Sequence, residues 1–138
     1  MPWPSPNNAE TLWSGCTLSS GGNVISSEYD QDSTRYLYAR FYLEWACAVS
    51  ASAGDYVEMY ILSKEPGGTN YPDGASNVDP KEGMVDVFST DWADSSTHYL
   101  TKDHHLLPNS DFKVLLKSEV ADTMEITFKM QRYNEPTS

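Results

Sequence analysis

The chain has 138 residues, 39% hydrophobic and 12% aromatic, with 20 acidic and 9 basic side chains and a formal charge of −11. That length suits one domain able to bury a core without disulfide or metal staples, and the apolar content excludes a disordered chain. The acidity repels phosphate backbones and anionic lipid surfaces, which argues against nucleic-acid and membrane partners.

The chain opens Met1, Pro2, Trp3, Pro4, Ser5, Pro6. Prolines at alternate positions favour an extended, polyproline-like start. With no basic region and no apolar run, this start does not read as a secretory signal, so a cytoplasmic protein, or one released by lysis, is expected. No stretch approaches 18 apolar residues, the length of a membrane span. Residues 14–34 are rich in Ser, Gly, Asn and Asp and read as loop, with a short strand around Asn23–Ser26. Residues 1–33 are therefore expected to be an extended N-terminal arm and loop, and 34–133 the folded body.

Within Arg35–Ser50 the odd positions read Leu37, Ala39, Phe41, Leu43, Trp45, Cys47 and Val49. The even ones include Arg40 and Glu44 but also Tyr36, Tyr38 and Tyr42. Apolar residues at every second position would wrap right round a helix, so this is a long strand. After a turn at Ser52–Asp55 comes the strand Tyr56–Ser63, with Val57, Met59 and Ile61 on one face. Residues 65–83, with three Gly and two Pro between Glu65 and Gly74, are loop. Strands follow at Met84–Ser89, Thr97–Lys102 and Asp111–Lys117, with Asp103–Asn109 carrying the chain to Pro108. The last strand points Met124, Ile126, Phe128 and Met130 inward, and 134–138 form a tail. About seven strands and no helix predict an all-β fold, a single antiparallel β-sandwich of jelly-roll or immunoglobulin-like type.

The motifs of catalysis are weak. His104 and His105 are adjacent, so in a strand they face opposite ways and form no ligand pair with His98. Carboxylates are too abundant for any pair to stand out, and there is no GxSxG, P-loop or dinucleotide fingerprint. Cys16 and Cys47 fit no metal spacing; free buried thiols or one disulfide both remain open. The stretch from Tyr71 through Asp73 to Asp79 offers oxygens for a cation, but a turn held by side-chain-to-backbone bonds explains it as well. The expectation is no cofactor, no metal and no enzymatic activity. Tyr and Trp supply 13 of the 17 aromatic residues. They unite an apolar body with a polar edge, which suits interfaces or stacking on sugars. Trp3 and Trp13, with Pro2, Pro4 and Pro6, are the candidate partner-binding residues of the arm, and Tyr71 and Asp73 those of the loop.

Four stretches carry a resemblance: Tyr36–Val49, Asp55–Leu62 (DYVEMYIL), Gly68–Gly74 (GTNYPDG) and Asp111–Lys117 (DFKVLLK). Together they resemble a group of small tailed-phage virion proteins. In that group a tyrosine-leucine strand leads to a DGTNYPDG-type loop, and a PGDFKVLLKN-type strand follows near the C-terminus. Here Gly67 stands where the group has Asp, and Asn109–Ser110 where it tends to have Pro–Gly. The resemblance spans roughly residues 35–133. It implies a non-enzymatic capsid decoration or cement protein, a dimer or trimer on the outer face of the major capsid protein lattice. Such a protein assembles in the host cytoplasm and ends on the virion. A tail or neck fibre or adaptor component, or a carbohydrate-binding module on the virion surface, is the alternative.

Overall fold

The structure is a computed structural model that describes residues 9–72, 79–80 and 83–134. Among the described residues eight strands run in chain order: β1 (Glu10–Leu18), β2 (Asn23–Ile25), β3 (Tyr38–Cys47), β4 (Tyr56–Ser63), β5 (Met84–Ser89), β6 (His98–Leu106), β7 (Phe112–Glu119) and β8 (Met124–Tyr133). The described residues contain no helix. The strands form two antiparallel sheets, a front sheet ordered β1-β8-β3-β6 and a back sheet ordered β2-β7-β4-β5. Strand 1 pairs with 8, 2 with 7, 3 with 6 and 4 with 5. This is the pairing of one long hairpin whose two arms are rolled together, so the sandwich is a jelly roll rather than an immunoglobulin-like fold.

Period-two alternation builds the core. Phe41, Leu43 and Trp45 of β3 and Ile126, Phe128 and Met130 of β8 point backward from the front sheet. Val57, Met59 and Ile61 of β4 and Phe112, Val114 and Leu116 of β7 meet them from the back sheet. The back sheet also carries a second apolar layer on its outer face. There Tyr60, Leu62 and Leu115 are buried, with Ile25 and Tyr71 packed against them. β4 is thus covered on both faces, because the loop that follows it folds back over the sheet.

Residues 10–29 depart from the expected arm and loop. β1 pairs with β8 from Glu10↔Met130 to Leu18↔Met124, and β2 pairs with β7. Tyr29 bridges to Phe112 and stacks on its ring with centroids 5.7 Å apart. Among the described residues the sandwich therefore includes the chain from Glu10 onward, rather than from Thr34. The reason β1 does not read as a strand is physical. Its pairing shifts register between Thr11 and Trp13 and again between Trp13 and Cys16, and Gly15 adopts φ +58°. These bulges re-aim the side chains, so Leu12, Trp13, Cys16 and Leu18 reach the core without period-two spacing. Cys16 on β1 and Cys47 on β3 are both free thiols, and burial raises the pKa of Cys47.

Strand β6 is longer than expected and absorbs residues 103–106. Its irregularity falls opposite Arg40, between the pairs Ala39↔His105 and Phe41↔Lys102, and His104 there takes φ +64°. His105 turns inward against the Phe41 ring and His104 stacks on Tyr38, the opposed orientations expected of neighbours in a strand.

β5 and β6 are the edges of their sheets on the same side of the sandwich, and Asp86 ties them together. Its Oδ2 lies 2.7 Å from His105 Nε2 and its Oδ1 3.6 Å from Lys102 Nζ, while Oδ1 also accepts from the Val87 N–H. Burial pushes the Asp86 carboxyl up. The Val87 N–H, His105 and Lys102 outweigh it, so the group sits below the ordinary carboxylate range. A depressed folded pKa gives stability that is present above the unfolded value, near about 3.9, and lost as pH falls through the folded one. Asp86→Asn is expected to melt below the parent at pH 7, with the gap closing as pH falls from about 5 through the folded pKa. A gap in melting temperature that stays constant over that range would count against this linkage.

Candidate functional site

Alternation leaves Tyr38, Arg40, Tyr42, Glu44 and Ala46 of β3 on the outward face of the front sheet. Tyr42 lies opposite Lys129 on one side and Thr101 on the other, and Glu44 opposite Thr127 and Tyr99. Ala46 faces Glu125 across the β3–β8 ladder. This face is aromatic as well as polar. The Tyr42 and Tyr99 rings lie 6.2 Å apart and within 27° of parallel, and Lys129 Nζ sits 5.8 Å from the Tyr42 ring. Tyr99 remains 60% exposed. Further up, Tyr38 stacks on His104 at 4.3 Å and on Tyr133 at 5.8 Å.

The Tyr42 hydroxyl donates to Glu44 Oε1 at 3.2 Å. Desolvation, the hydrogen bond and the charge of Glu44 raise the tyrosine above its usual pKa, so it stays a neutral donor. Glu44 forms no ion pair, and the Glu125 carboxylate has no hydrogen-bond or ionic partner, among the described residues. Gly15 makes room for Glu125: a Cβ there would lie 3.3 Å from Glu125 Oε1.

Three shallow depressions follow one another along the β3–β8 seam. The first, of 190 Å³, is lined by Arg40, Tyr42, Thr101 and Lys129. The second, of 250 Å³, is lined by Gly15, Glu44, Ala46, Thr97, Glu125 and Thr127. The third, of 230 Å³, shares Ala46 and Glu125 with it and adds Thr17, Ala48 and Thr123. Ala46, Ala48 and Thr127 contribute small side chains to this row of depressions, hereafter the trough.

The described residues among those singled out from sequence lie away from this trough. Pro2, Trp3, Pro4, Pro6 and Asp73 lie outside the described residues. Trp13, expected to contact a partner from the arm, is instead part of β1 and packs against Phe128 with centroids 5.7 Å apart. Tyr71 holds its loop against the back sheet: its hydroxyl donates to Glu28, and Lys113 Nζ lies 4.5 Å from its ring. Asp79 accepts from Asn23 Nδ2 at 3.0 Å and faces Lys117 at 3.9 Å, so its oxygens serve the back sheet. His98, His104 and His105 stand apart, partnered by Asp94, Tyr133 and Asp86.

Asp30, Asp32 and Asp111 bring carboxylate oxygens within 4.8 Å of one another. Their contacts are those of a braced turn. Asp30 accepts from the Asp32 N–H and Ser33 Oγ, Asp111 accepts from the Gln31 N–H, and Lys64 Nζ lies 3.7 Å from Asp111. Nearby, buried Gln31 donates to the carbonyls of Tyr36 and Pro108.

Sequence reasoning did not single out Tyr42, Glu44, Tyr99 or Glu125. The available signal was the surplus of tyrosine at even positions of β3, on a face that alternation should make polar. No protein-family model matches the chain, and no curated protein matches it.

Proposed function

We propose that this chain is a non-enzymatic structural protein of a tailed-phage virion, a decoration protein that binds the outer face of the major capsid protein lattice and stabilises the head. The supporting observation is where the resembling stretches fall. DYVEMYIL is β4 with Asp55, and DFKVLLK is the first part of β7 with Asp111. The two strands pair from Tyr56↔Glu119 to Ser63↔Phe112. Tyr71 of the GTNYPDG stretch packs on the outer face of that pair, beside Tyr60, Leu62 and Leu115. DYVEMYIL, DFKVLLK and Tyr71 thus meet at the centre of the back sheet, as expected of a shared scaffold, while the fourth stretch, Tyr36–Val49, supplies β3 of the front sheet.

Jelly rolls recur in viral shells and in lectins, an analogy of fold that does not by itself choose a function. A rigid sandwich suits a part that must carry load. Prolines at 2, 4 and 6 limit the entropy that their segment loses on docking, and a dimer or trimer would match capsid symmetry axes and bind with avidity. The test is to separate purified phage particles into heads and tails and detect the chain by mass spectrometry. It is expected with the heads. Recovery with the tails, or with neither, overturns the proposal.

A further inference from the structure

We propose that the front-sheet trough binds a neutral, extended oligosaccharide, with the exposed Tyr99 ring, braced by Tyr42, as its stacking platform and Glu44 and Glu125 as acceptors for sugar hydroxyls. This goes beyond the capsid reading and does not depend on it, because it concerns a face of the isolated chain.

The row of depressions follows β3 from Arg40 to Ala46, about 20 Å at the rise of a β-strand, and continues past its end to Ala48. That length suits a chain ligand rather than a single small molecule. The backbone offers such a ligand nothing. β3 is paired with both β6 and β8, and β8 with both β1 and β3, so the amide and carbonyl groups are spent in the ladders. An extended peptide gains most of its affinity from main-chain bonds at a sheet edge, which this face cannot supply. What the face does supply is side chains. One is an exposed tyrosine ring, two are carboxylates without a cation, and several are hydroxyls of threonine and tyrosine. A sugar ring brings a complementary set, an apolar C–H face for the aromatic ring and hydroxyl donors for the carboxylates.

Charge narrows the class. Glu44 and Glu125 flank the middle depression, and the molecule carries −11 overall. Anionic polysaccharides are therefore disfavoured and neutral ones preferred. Shape narrows it further, because an open strand face accepts a flat β-1,4-linked ribbon better than a coiled α-1,4-linked chain.

The test is a titration of the ¹⁵N-labelled full chain with cellohexaose, mannohexaose and chitohexaose, with maltohexaose as the coiled control. At least one ribbon is expected to give saturable amide shifts centred on Glu44, Ala46, Tyr99, Glu125 and Thr127, with maltohexaose at least tenfold weaker. Tyr99→Ala and the pair Glu44→Gln with Glu125→Gln should each weaken binding at least tenfold without changing the melting temperature. Should either variant lose its fold, Thr127→Lys, which fills the floor, provides the second test and should also abolish the shifts. The proposal is overturned if none of the three ribbons produces saturable shifts at the trough, or if the variants bind as the parent does. It is also overturned if purified major capsid protein broadens these signals while the glycans leave them unmoved, which would assign the face to a protein partner.

Discussion

Replacing Phe128 with alanine is expected to lower the unfolding free energy by about 3–5 kcal/mol. Phe128 is wholly buried at the middle of β8. Its ring lies 5.7 Å from Phe41 on the neighbouring strand, 5.7 Å from Trp13 on β1 and 5.9 Å from Phe88 of the back sheet. Truncation would remove contacts to three strands of both sheets at once. The cavity could not close without moving β1 or β5, so transfer and cavity costs add. Lys129→Ala, one residue along and on the outer face, provides the contrast and should change stability by no more than about 0.5 kcal/mol. Urea unfolding checks both through the midpoint at constant slope. A loss below about 1.5 kcal/mol for Phe128→Ala would mean that β8 does not sit at the junction of the two sheets.

β8 was legible from sequence for the same reason that it is sensitive to mutation. Met124, Ile126, Phe128 and Met130 alternate without interruption, and all four are buried. β3 was legible likewise. Two features were not. β1 hides behind its bulges, since a strand whose register shifts twice in nine residues does not keep the period that identifies strands. The outer layer of the back sheet was hidden for a different reason. Tyr60 and Leu62 sit at positions that alternation assigns to solvent, and Tyr71 of the following loop packs over them together with Ile25 of β2. Pattern along one strand does not reveal what a later segment will cover.

The candidate trough shows the same division. An outward tyrosine at position 42 is visible as a departure from polar alternation. Its pairing with Tyr99, and the approach of Glu125 to Glu44, depend on how β6 and β8 register against β3. That register is fixed jointly by the packing of the inward faces, and no window of sequence contains it. The jelly-roll order is also a property of the whole chain. Seven or eight alternating strands are compatible with several sandwiches, and only the pairing of first with last and second with next-to-last selects one.

The corrected boundary of the body leads to the other large effect. Read as an arm, residues 1–14 would be dispensable for folding, and their removal would weaken only attachment to a partner. As β1, residues 10–14 contribute the pairs Glu10↔Met130 and Trp13↔Phe128, and Glu10 holds Arg132 Nε at 2.8 Å. A chain beginning at Gly15 loses Trp13 from above Phe128 and Leu12 from beside the core, and leaves the outer rim of β8 unpaired. Half-burial of a tryptophan and a leucine, with the ladder bonds and a partly buried ion pair, amounts to about 4 kcal/mol. For a domain of this size that lowers the melting temperature by roughly 15 °C. The reference is a chain beginning at Ala9, which keeps the whole of β1. If both truncations melt at the same temperature, Trp13 does not pack in the sandwich and the body starts later than Glu10. If only the shorter chain is destabilised, a test of whether the proline-rich start binds capsids requires the cut before Ala9. Any loss of capsid binding by the shorter chain would report unfolding rather than a missing contact.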